Sequence, residues 1–122
     1  MTKARRRLLD QAVHLLIRGY QEEMSLYRLV RDISQRQVRT LDGQDGLRAF
    51  CELHRRKEQV LDLIGRIESE MRVAKEVVLS HSPTDCPHRH RLVEILQDVQ
   101  GLIRAVREAE ELNADRLQRV PA

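Results

Sequence analysis

The chain predicts an all-α protein: an elongated antiparallel three-helix bundle, built as a coiled-coil hairpin that takes a third packing helix. Three observations lead there. Leu53, Lys57, Val60, Ile64, Ile67, Met71, Ala74 and Val78 follow one another at alternating steps of four and three residues. That alternation keeps one stripe on the same side of a long helix, and such a stripe demands helical partners. Aromatic residues make up 2% of the chain and there is no Trp, a poor composition for a sheet and a good one for helices packed on helices. Two clusters of Gly, Asp and Pro, near residues 40–46 and 80–87, divide the 122 residues into three long segments. That length suits one domain, spanning 1–122.

The first helix is expected over 4–39. Leu9, Val13, Leu16, Tyr20, Met24, Tyr27, Val30 and Ile33 recur every three or four positions, flanked by Ala12, Ile17 and Leu26. Asp42-Gly43 and Asp45-Gly46 then offer a left-handed stop and an N-cap, so a second helix is expected over 46–79. Pro83 and Pro87 end it by removing backbone donors and disfavouring helix before them. The third helix, expected over 88–119, carries Leu92, Leu96, Val99, Ile103 and Val106, with Ile95 and Leu102 beside them. Past Val106 the stripe thins to Ala109, Leu112 and Leu117 among seven charged residues, so the closing turns read as weakly anchored. Short connections make sequential helices antiparallel. Each helix holds one interior glycine: Gly19, Gly65 and Gly101. Folding the chain at its two loops puts them within about one turn of a common level. Either the helices approach closely there or the three are unrelated.

No apolar run nears the roughly 20 residues needed to span a bilayer. The basic start Lys3 to Arg7 is followed by Asp10, Gln11 and His14 with no small-residue cleavage site, which is unlike a signal peptide. A cytoplasmic location is expected. Cys51 and Cys86 read as free thiols. Net charge is +3 overall, yet residues 1–39 alone carry nine Lys/Arg against four Asp/Glu. The Lys3–Arg7 arm therefore suits an acidic partner, a membrane surface or unspecific, salt-sensitive nucleic-acid attachment. No base-reading motif accompanies it.

Glu23-Met24-Ser25-Leu26-Tyr27-Arg28-Leu29-Val30, the break from Asp42 to Gly46, the run from Leu53 to Ile64 and Ile67-Glu68 together resemble the FlgN/FliT class of flagellar export chaperones. Leu102 to Leu117, with Asn113, is similar to the closing helix of that family. The resemblance covers most of the chain. It implies a non-catalytic cytoplasmic chaperone or adaptor for type III export, holding an amphipathic terminal helix of a secreted flagellar structural protein of the hook-filament junction type. Such a helix would lie in a groove and complete a bundle. The partner-binding candidates are Val99, Leu102, Ile103, Val106, Ala109, Leu112 and Leu117. The same residues also serve a second reading, in which they complete the chain's own core or a homodimer; a self-associating coiled-coil scaffold with a basic arm is the alternative function.

Other constellations carry less. His81, Cys86, His88 and His90 offer zinc-type ligands, but their spacing fits no established finger, so the segment is read as a loop and helix start. No metal or cofactor is expected. Lys57 sits on the seam, either snorkelling to its edge and pinning register or marking a loose place, and replacement by Leu is expected to stabilise. Tyr20 and Tyr27, seven residues apart, read as core rings with hydroxyls at the edge. No phosphate loop, nucleophile elbow or metalloprotease motif is present, and His14 and His54 read as solvated. The chain is not expected to be an enzyme.

Overall fold

A computed structural model describes residues 2–81 and 86–120. Among these there are three helices and no strand: α1 (Lys3–Thr40), α2 (Gly46–Leu79) and α3 (Arg89–Gln118). The expected boundaries hold within one residue. Ser82 to Asp85 of the second connection, including the expected helix-stopping Pro83, lie outside the described residues.

Each end has a local cause. The Thr2 hydroxyl accepts from the Arg5 amide at 3.2 Å, capping α1 where no acidic residue helps and Arg5 to Arg7 oppose the helix dipole. At the other end the Thr40 hydroxyl donates to the Gln37 carbonyl at 2.8 Å. The first loop departs from its expected chemistry. Neither glycine is left-handed; the left-handed residue is Asp45, with φ 54°, and its side chain caps nothing. Gly46 is needed for space instead, because a Cβ there would lie 2.3 Å from the Thr40 carbonyl oxygen. At the end of α2, the Ser80 hydroxyl and His81 Nδ1 both bond the Val77 carbonyl, at 2.7 and 2.8 Å. These partners satisfy acceptors that a helix terminus leaves open.

α1 lies between the other two. α2 runs antiparallel along it and α3 parallel, and close backbone approach is between α1 and each partner rather than between α2 and α3. α1 accordingly buries more than one stripe. Leu9, Val13, Leu16 and Tyr20 meet Met71 and Ala74 of α2 together with Leu92, Ile95 and Val99 of α3 in one apolar cluster. Further along, Val30 and Ile33 pack with Leu53, Val60 and Ile64, and Val106 closes the side. Tyr20 is buried and Tyr27 half-buried against these clusters, as expected for core rings.

The three glycines are not equivalent. A Cβ on Gly19 would meet Met71 Sδ at 2.2 Å, while nothing lies within 4 Å of one on Gly65 or Gly101. Only Gly19 marks a close approach. Met71 is almost wholly buried, so its thioether has to shift within the packed seam to admit a methyl group.

Gly65→Ala and Gly101→Ala should therefore each stabilise, by about 0.5–1 kcal/mol, through helix propensity alone. Gly19→Ala should destabilise, because overpacking of about 1–3 kcal/mol outweighs that gain. Urea unfolding of the three variants checks the difference in sign.

Candidate functional site

Two layers of polar side chains interrupt the apolar seams. Near the first loop, Lys57 is 3% exposed and its ammonium donates to Gln37 Oε1 at 2.7 Å and Glu110 Oε1 at 2.6 Å. The Ser34 hydroxyl donates to the same Glu110 oxygen at 2.5 Å. Gln37 Nε2 donates to the Phe50 carbonyl at 3.2 Å, and Asn113 Nδ2 to the Ser34 carbonyl at 3.1 Å. All three helices meet in this network. Its outer edge is an exposed pair between Arg116 and Asp42, at 2.7 Å.

Two expectations change here. Lys57 neither snorkels nor marks a loose seam; it is buried with its charge paired to Glu110 and a second donor met by Gln37, as a buried ammonium requires. The end of α3 buries few apolar groups, yet Glu110, Asn113 and Arg116 fasten it to both other helices. Its anchorage is polar, which an apolar stripe does not register.

The second layer lies halfway along α1. Glu23 is 0% exposed and neither carboxyl oxygen has a hydrogen-bond partner. Burial, then the facing Glu68 carboxyl, push its pKa up to about 8. The neighbouring Glu23 carboxyl, which keeps its proton, and then the ammonium of Lys75 hold Glu68 below the usual carboxylate range against the opposing effect of burial. Lys75 pairs with Glu68 and stands 5.6 Å from the centre of the Tyr20 ring. Burial pulls the lysine down, but its carboxylate and tyrosine neighbours outweigh that and raise it. Burial raises both Tyr20 and Tyr27 as well. Glu23 is sealed from solvent, so this layer acts on folding rather than on a substrate.

Beside the first layer, the start of α2 and the end of α3 leave a groove of about 370 Å³. Leu47, Phe50, Cys51 and His54 form one wall, Ala114 and Leu117 the other, with Lys57, Glu110 and Asn113 also lining it. Asn113 Oδ1 is buried without a hydrogen-bond partner. Leu47 and Leu117 are exposed at 55% and 37%.

The seven partner-binding candidates divide. Val99 and Ala109 are buried, and Leu102, Ile103 and Val106 are half-buried on the chain's own bundle. Leu112, 58% exposed, and Leu117 face solvent. Leu117 alone of the seven reaches the groove; Leu47, Phe50 and Cys51 opposite it escaped the sequence reading because they belong to another helix.

The Cys/His group of the second connection is dispersed. His81 Nδ1 is committed to the end of α2, and His90 pairs with Glu94 at 2.8 Å on the open surface. Burial raises the Cys86 thiol, away from the thiolate that a metal would need. His88 turns toward α1, where its ring meets His14. His14 and His54 are exposed, as expected.

Comparison with protein-family models, with curated proteins and with solved structures found no match. Function therefore rests on geometry and on the sequence resemblance. Among the described residues, no helix is long and apolar enough to cross a membrane.

Lys57→Leu should destabilise the chain, by roughly 2–3 kcal/mol, because it takes the ammonium away from the buried Gln37 Oε1 and from the Glu110 carboxylate; chemical denaturation measures it. Glu23 binds its proton more tightly folded than unfolded, so its contribution to stability is complete below about pH 4.5 and is lost as pH rises to about 8. Glu23→Gln, neutral at every pH, should remove that loss, and its melting temperature should exceed the parent's most at pH 9.

Proposed function

We propose that this chain is a non-catalytic helical binding protein of the flagellar export chaperone kind, which holds an amphipathic helical segment of a secreted structural subunit. The observation that carries the proposal is the unclosed side of the bundle. α2 and α3 both pack on α1 and not along each other, and the groove between their ends has apolar walls with polar groups at its base. A helix laid there would place apolar side chains against Leu47, Phe50 and Leu117 and complete a four-helix layer, the usual helix-in-groove arrangement. The exposed Lys3–Arg7 arm is available to an acidic surface of the same client or of the export apparatus.

A client of the hook-filament junction type comes from the resemblance of the Glu23–Val30 and Leu53–Ile64 segments to the FlgN/FliT class, and a cytoplasmic location agrees with that resemblance and with the unlikeness of the basic start to a signal peptide. In this reading α3 remains seated while Leu117 and the α2 wall receive the client. Val99, Leu102, Ile103, Val106 and Ala109 take part only if α3 leaves α1, and the Lys57–Glu110–Ser34 layer is the latch opposing that movement.

Light scattering and titration calorimetry of the purified chain with the terminal-helix peptide of a hook-filament junction subunit test the proposal. The expected result is a one-to-one complex, weakened about tenfold or more by Leu47→Arg or Leu117→Arg at these exposed positions. Absence of binding to such peptides overturns the export-chaperone reading. A tight dimer of the chain alone, broken by the same two substitutions, would instead establish the self-associating scaffold.

A further inference from the structure

We propose that Asp10, His14 and His88 form a binding site for a divalent transition-metal ion of the zinc class, which clips the start of α3 to α1. The inference is independent of the client groove, which lies at the opposite end of the bundle.

One ligand atom from each residue lies within 4.8 Å of the others. A tetrahedral ion with bonds of about 2.0–2.1 Å holds its donors roughly 3.4 Å apart, a contraction that rotation of three exposed side chains supplies. Asp10 and His14 are one helical turn apart on α1, so the helix itself places a carboxylate and an imidazole on one face. His14 Nδ1 lies 2.9 Å from the Asp10 carbonyl oxygen. With the proton on Nδ1 donated there, the Nε2 lone pair is left free, the orientation by a backbone acceptor that metal-bound histidines commonly show. The third ligand comes from far along the chain. His88 occupies the cap position of α3 with φ 54°, a left-handed backbone that turns its ring toward α1. The two imidazoles stand edge to face with centres 5.2 Å apart.

The surroundings select the ion. Arg18 and Arg91 line a furrow with His14 and His88 and repel cations held by charge alone. A single carboxylate does not offset them for Ca²⁺ or Mg²⁺, which need several hard oxygen ligands. An ion that forms coordinate bonds to imidazole gains what those lack. Two imidazoles and a carboxylate fill three positions and leave the remainder to water. Because the ligands come from two helices, binding favours the folded chain and the seated α3.

The test uses the full 122-residue chain, with thermal melting and calorimetry in ZnCl2 and reversal by EDTA. The expected result is a melting temperature that climbs with zinc concentration, an affinity reduced about tenfold or more in both His14→Ala and His88→Ala, and an unchanged response in the double variant Cys51→Ser/Cys86→Ser. All these side chains are at least partly exposed, and circular dichroism confirms that each variant folds. Co²⁺ should give a visible absorption band that His88→Ala loses. No binding of zinc at about tenfold molar excess, undiminished binding in His88→Ala, loss of binding only in the cysteine variant, or an equal response to MgCl2 would each overturn the site.

Discussion

One helix has to satisfy two partners at once, and most of the architecture follows from that. α1 lies between α2 and α3, so its surface is covered from two directions while each of the others is covered from one. Ala12 and Ile17, which look like flank positions beside Leu9, Val13 and Leu16, are buried for this reason. The apolar row of α2 packs chiefly on α1, with α3 closing only one side of each cluster. The sides of α2 and α3 that face each other are consequently left incomplete, and Leu47 and Leu117 remain in solvent at the mouth of a groove.

Such an arrangement invites slippage, because rows of Leu, Ile and Val accept several registers. The two polar layers remove that freedom. Lys57 finds an acceptor on each of the other helices at one level only, and a one-turn shift of α3 would part Asn113 from the Ser34 carbonyl and Glu110 from both its donors. Polar groups in a seam commonly exchange stability for a defined register. The Glu23 layer differs in kind: its carboxyl keeps a proton because no donor meets it, so neutrality replaces pairing. The apolar clusters on either side of it contribute the driving force, and the polar layers decide which packing is reached.

The polar positions were legible in the sequence to a degree that the apolar tracing concealed. Strict alternation of four and three from Leu9 runs through Val13, Leu16, Tyr20, Glu23, Tyr27, Val30, Ser34 and Gln37, and every one of these but half-buried Tyr27 is buried. Following hydrophobicity instead of spacing steps aside to Met24 and Ile33, and so passes over the three buried polar residues. Lys57 was visible as a seam residue because the α2 row keeps its alternation there. What no spacing on α2 reveals is that its ammonium is met by Gln37 and Glu110, since those acceptors are 20 and 53 residues away.

By itself the sequence determined three helices, their ends to within a residue, and the antiparallel order imposed by short connections. These are local properties, set by periodicity, capping and backbone-breaking residues. Tertiary structure alone decided that α1 occupies the middle, that Gly19 and not Gly65 or Gly101 admits a neighbour, and that His88 reaches His14 rather than its companions in the second connection. Those outcomes depend on how far one helix slides and turns against another. Contacts between distant segments set that displacement, and no stretch of chain carries it alone.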